Sequence, residues 1–97
     1  MMVILHAPTE DALARARSNA KNLKAAEPDA TVEIVANAGG VRAAIATPDP
    51  DTDDALRLCG NTLRTASIEP PATLVVVDAA VAHIARRQAA GWIYIRA

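Results

Sequence analysis

Cys59 is the only cysteine in 97 residues, and it stands at a junction. Before it runs Ala55-Leu56-Arg57-Leu58, a short stretch of strand character; after it comes Gly60-Asn61-Thr62-Leu63, the opening of a predicted helix. A thiol at a helix N-terminus faces unpaired backbone N–H groups and the positive end of the helix dipole, which favour the thiolate, the nucleophilic form. Gly60 suits a tight turn without a Cβ, and Asn61 or Thr62 suits a cap. The opposite reading is packing, because a free cysteine is among the most buried residue types.

The other chemistry-bearing residues gather around that junction only if the fold brings them there. His6 closes the first apolar run, and a neutral imidazole accepts a proton at near-neutral pH. Gly39 and Gly40 follow the second apolar run, either lining a crevice at that strand end or making a tight turn with positive φ. His83 falls inside a late helix and is expected to be exposed or at a subunit contact. Two histidines at unrelated positions and one cysteine make no zinc pattern, so no metal is expected. Thr47 to Asp54 holds four aspartates and two prolines. It lacks the central glycine and terminal glutamate of a calcium loop and reads as a surface turn.

The elements that must position these residues alternate in type. Val3 to His6 is a short strand ended before Pro8. Thr9, Glu10 and Asp11 open a helix to Ala26, with Leu13, Ala16, Ala20 and Leu23 as its apolar stripe. Arg15, Arg17, Lys21 and Lys24 then form its wet face. Thr31 to Ala36 is a β-branched second strand, Asn37 to Gly40 a turn, and Val41 to Ala46 a short helix. A third strand covers Ala55 to Leu58, and a helix runs from Gly60 to Ser67. Thr73 to Val77 is nearly continuously apolar, as in a parallel strand covered on both faces. Asp78 is placed to cap the next helix, in which Val81, Ile84, Ala85 and Gln88 share a side. Gly91 fits the position after that helix, and Trp92 to Ile95 is the fifth strand. Five strands separated by helices, joined by right-handed crossovers, make a three-layer α/β/α sandwich with a five-stranded mostly parallel sheet.

Composition narrows the function classes. The length predicts a single domain over residues 1–97. Ten basic and eleven acidic residues give a formal charge of −1, with no basic excess for nucleic acid. Val3-Ile4-Leu5 is too short for a signal-peptide core or a membrane span, so a cytoplasmic protein without membrane contact is expected. Neither the glycine-rich dinucleotide signature nor the glycine-lysine phosphate loop is present, and no cofactor is expected. Trp92 and Tyr94 point to one side of the fifth strand, Ile93 and Ile95 to the other. An alanine-rich chain has few large groups to cover both sides, which predicts a homo-oligomer with Trp92 and Tyr94 in its interface.

Several stretches together resemble one family. Cys59-Gly60-Asn61-Thr62-Leu63-Arg64, Val75-Val76-Val77 and the run from Arg87 to Ile95 are similar to the small single-domain branch of the DsrE/DsrF-like sulfur-metabolism family. Thr31 to Val41 and Asn19 to Leu23 resemble it too, while Thr47 to Asp54 departs as a shortened connection. The resemblance implies a three-layer α/β fold assembled into dimers, trimers or hexamers. It also implies a persulfide on Cys59, taken from a sulfur donor protein and passed to an acceptor. Gly60, Asn61, Thr62, Gly39, Gly40 and His6 are then the candidates to bind ligand or stabilise the thiolate. The alternatives are a non-catalytic homo-oligomeric module that binds a small anion or regulates, and a partner subunit that performs no transfer.

Overall fold

A computed structural model describes residues 1–97 and follows the alternating order. Its elements are β1 (Met2–Ala7), α1 (Glu10–Ala26), β2 (Thr31–Ala36), α2 (Gly39–Ala46), β3 (Leu56–Cys59), α3 (Gly60–Thr65), β4 (Val75–Val77), α4 (Ala80–Ala89) and β5 (Ile93–Arg96). A 3₁₀ turn, Asp53–Ala55, precedes β3, so Ala55 belongs to the turn and not the strand. The strands form one sheet in the order β4-β3-β2-β1-β5, parallel at every pairing. This is the three-layer α/β/α sandwich that the strand-helix alternation predicts.

The order fixes how the helices are shared between the faces. The chain steps from β1 to β4 in one direction and then jumps back across to β5. Right-handed crossovers therefore put α1, α2 and α3 on one face and α4 alone on the other. Side-chain alternation follows. Leu5, Ile34 and Leu56 align in register toward the three-helix face, whereas Ile4, Glu33, Val35 and Arg57 face α4.

α1 begins as its first residues dictate. Thr9 is its N-cap and accepts a hydrogen bond from the Ala12 N–H at 3.0 Å, with Glu10 and Asp11 in the first turn. Leu13, Ala16 and Ala20 are buried as the stripe requires. The expected wet face is corrected at Arg17, which is only 7% exposed. The Thr47 to Asp54 connection folds back over α1, and Arg17 donates to Thr52 Oγ1, Asp53 Oδ1 and the carbonyls of Ala44 and Thr47. Lys21 pairs with Asp49 at 2.9 Å from the same helix. The aspartate-rich turn is thus tied to α1 by its charges, which a polar connection with only Pro48 and Pro50 as apolar side chains needs in order to pack.

Candidate functional site

Cys59 ends β3 and is the N-cap of α3, at the C-terminal rim of the sheet. Its neighbours in β3 alternate, so the thiol shares the α4 face with Arg57. There the first turn of α4 meets it: the Ala80 N–H donates to Cys59 Sγ at 3.2 Å. The sulfur therefore lies between the N-termini of two helices. Burial by itself would push the thiol up. The N–H of Ala80, the N–H and hydroxyl of Thr62, and the N–H of Asn61 outweigh it and hold the thiol below its ordinary range.

Thr62 serves two elements at once. Its Oγ1 accepts the Ala38 N–H at 3.1 Å, which leaves the hydroxyl hydrogen for the sulfur. Neither Asn61 nor Thr62 caps α3, contrary to the capping expectation, because the N-cap position is Cys59 itself. Asp78 is likewise not the cap of α4. It sits one residue too early, accepts the Ala79 N–H at 2.9 Å and pairs with Arg86 through both carboxylate oxygens. That pairing holds its carboxyl well below the usual range.

The glycines act by close approach rather than by turn conformation. No glycine at positions 39, 40 or 60 has positive φ; the left-handed residue of the β2–α2 loop is Ala38, at φ 47°. A Cβ on Gly40 would lie 2.0 Å from the Ala7 carbonyl oxygen, and one on Gly60 2.6 Å from that of Val77. Gly40 lets α2 dock against the end of β1, and Gly60 lets α3 start against the end of β4. Gly39 has no atom closer than 3.8 Å to a Cβ and carries no such constraint.

His6 is on the same rim, but both its ring nitrogens have other partners. Nε2 meets Asn37 Oδ1 at 2.9 Å, and Nδ1 meets the Tyr94 hydroxyl at 2.6 Å. Because Oδ1 only accepts, Nε2 carries the proton and Nδ1 accepts from tyrosine. These three side chains form one wall of a groove of about 430 Å³, with Ala80, Val81 and Ile84 of α4 opposite. Ala80 is the link between groove and thiol: its side lines the groove and its N–H holds the sulfur. Gly39 and Gly40 do not line it.

A second polar cluster on the α4 face escaped sequence reasoning. Glu33, in the middle of β2, is 3% exposed. Its Oε1 meets His83 Nε2 at 2.7 Å and the Arg87 Nε–H at 3.1 Å; its Oε2 meets Arg87 Nη2 at 2.8 Å and Arg57 Nε at 3.4 Å. Burial opposes the carboxylate, and the hydrogen bonds from Arg87 and His83 with the nearby Arg57 charge overcome it, so its pKa is lowered. His83 is thereby corrected from an exposed or intersubunit residue to an intramolecular one, its side chain 13% exposed. The signal was available: a carboxylate inside a strand of a three-layer sandwich needs a cationic partner, and His83 and Arg87 are spaced i, i+4.

The aromatic pair shares the α4 side of the sheet, as alternation predicts. Trp92 lies against the Arg87 guanidinium, 4.5 Å from the ring centroid, and Tyr94 reaches His6. Ile93, Tyr94 and Ile95 on the edge strand β5 remain exposed, as do Val75 and Val76 on the opposite edge, so β4 is corrected from a strand covered on both faces to an edge strand. No three histidine, cysteine or carboxylate side chains gather into a group that could hold a metal ion. No helix is long and apolar enough to cross a membrane.

Neither a family model nor a curated protein matches the chain. It is similar to the solved structure of a protein of unknown function, MTH1491, from Methanobacterium thermoautotrophicum. The two are 29% identical, the match covers 99% of this chain and 98% of the other, and the TM-score is 0.85. The likeness extends the same architecture to a second protein and brings no reaction with it.

Proposed function

We propose that the protein is a sulfur-relay component of the DsrE/DsrF-like type, carrying a persulfide on Cys59. One observation carries the reading: the sulfur accepts the Ala80 N–H at the meeting of two helix N-termini, where further donors from Asn61 and Thr62 stabilise an anion. In the transfer, the Cys59 thiolate attacks the outer sulfur of a donor persulfide. The donor's S–S bond breaks, its electron pair leaves with the donor as a thiolate, and a new S–S bond forms at Cys59. An acceptor thiolate then attacks that outer sulfur and releases the Cys59 thiolate. The donors that hold the thiolate suit the terminal sulfur anion by the same charge logic. Donor and acceptor are proteins that must reach the rim, and the homo-oligomer is expected to form over the exposed edge of β5, with Tyr94 in the contact.

A second reading rests on burial. Cys59 is 5% exposed, and beside it lies the His6, Asn37 and Tyr94 groove. A module that binds a small anion or regulates, without transfer, uses the groove and leaves the thiol as packing. Intact-mass measurement after incubation with a persulfide donor separates the two. The relay reading expects a gain of one sulfur in the parent and none in Cys59→Ala; no gain in the parent supports the binding module. Light scattering at micromolar concentration tests the oligomer, which polar substitution of Tyr94 should weaken.

A further inference from the structure

Only one helix covers the α4 face, and its own packing does little to fix where it sits. Within α4 only Ala80 is buried; Ile84 packs half-buried against the core, and Val81 is 79% exposed. A methyl group offers no shape that would hold a helix against sliding along a sheet. Yet the position of Ala80 matters, since its N–H is the donor to Cys59 Sγ. Ala80, His83 and Arg87 are spaced i, i+3, i+7 and form one stripe toward the sheet. Two of its three members end on the Glu33 carboxylate.

Stability is a poor reason for such a carboxylate in a central strand. A buried ion pair is often replaced by packed apolar side chains at little cost, whereas it does specify position. Glu33 accepts from two turns of α4 through directional bonds and is itself held by β2 and by Arg57 of β3. From these contacts we propose that Glu33 is a positioning residue for Cys59: by gripping His83 and Arg87 it sets the seat of α4, and with it the Ala80 N–H that donates to the sulfur. The inference rests on the thiolate cradle within the proposed site and not on sulfur transfer itself.

The charged groups facing Glu33 are Arg57 from β3 and His83 and Arg87 from α4. Those near the thiol's rim are Asp78, paired with Arg86 and largely exposed, and Arg64 beside Gly60. This arrangement gives the test a sign. If Glu33 acted only through its charge, removing that negative charge would favour the thiolate and speed alkylation. If it acts by seating α4, removing it withdraws the Ala80 N–H and slows alkylation.

The experiment is iodoacetamide alkylation of Cys59 across pH 6 to 10 in the parent, Glu33→Leu, Glu33→Gln and His83→Leu, with circular dichroism to confirm folding. Positioning expects Glu33→Leu to react about three- to ten-fold more slowly at pH 7, with its profile moved to higher pH. Glu33→Gln keeps one acceptor oxygen and should recover most of the parent rate. His83→Leu leaves Glu33 in place and cuts one tether, so it should move the profile the same way by less; it decides the question if Glu33→Leu does not fold. A profile unchanged or moved to lower pH in the folded variants overturns the proposal. Persulfide uptake is read separately: a shifted alkylation profile without uptake sinks the relay and keeps the positioning role, and uptake with an unshifted profile does the reverse.

Discussion

The two faces of the sheet are built on different principles. Under α1, α2 and α3 lie Leu5, Ala7, Ile34, Ala36, Leu56 and Leu58, all buried and apolar. Under α4 the apolar floor of Ile4 and Val35 is interrupted by Glu33, Arg57 and Cys59, with His6 and Tyr94 at the margin. Three helices exclude water by volume, so their face needs no polar side chains from the sheet. One helix cannot, and its face is held instead by directional bonds. The proposed chemistry suits that second face, because a thiolate needs aimed donors and an opening rather than dense packing.

Backbone crowding on the three-helix face should give the largest effect of any single change. Gly40→Ala forces a Cβ against the Ala7 carbonyl and should cost about 3 kcal/mol, read in a urea melt. Gly39→Ala, one residue away with open space, should leave the midpoint near the parent's. Equal losses at both would rule out the approach of α2 to β1 as the cause, since helix propensity by itself favours alanine at either position.

Arg17 is the polar exception on that face, and removing it asks whether the Thr47 to Asp54 connection needs its tether. Arg17→Met should cost about 2 kcal/mol, below the usual loss for a broken buried pair because Asp53 can regain water. Thermal unfolding measures it, and unchanged stability would make the connection self-supporting.

A pH titration contrasts the faces directly. The folded pKa of Glu33 is depressed, so the unfolded chain binds the proton first as pH falls. Its contribution to stability is present above the unfolded carboxylate value and is lost as pH drops through the lower folded one. Glu33→Gln should flatten this acid limb, leaving the parts that Asp49 and Asp78 contribute by the same sign. An identical acid limb in parent and variant would remove the α4 face from the account of acid stability.

The smallest effect concerns the thiol alone. Thr62→Val deletes the hydroxyl that accepts from Ala38 and helps hold the thiol below its ordinary range, and should slow Cys59 alkylation at pH 7 about three-fold. A parent-like rate would assign the cradle to backbone N–H groups only.

Local patterns already carried the architecture. Thr9 and the acidic first turn set the start of α1, β-branched Thr31 to Ala36 set β2, and Gly91, at φ 94°, set the end of α4. The rim position of Cys59 followed from the change between Leu58 and Gly60. These are determined by sequence because capping, period-2 alternation and glycine conformation act over a few residues. Arg17, Glu33 and His83 were another matter. Arg17 sat at a helical spacing that reads as solvent-facing until a connection thirty residues later closes over it, and Glu33 meets its helix partners fifty and fifty-four residues away. The Ala80 N–H that holds the thiol comes from twenty-one residues downstream and belongs to an alanine, whose side chain announces nothing. Which charged groups are buried, and which backbone donor meets the sulfur, was decided by how the helices are shared between two faces of the sheet. That is a property of the crossovers, where the energy of each polar group depends on distant segments arriving together and no local pattern encodes it.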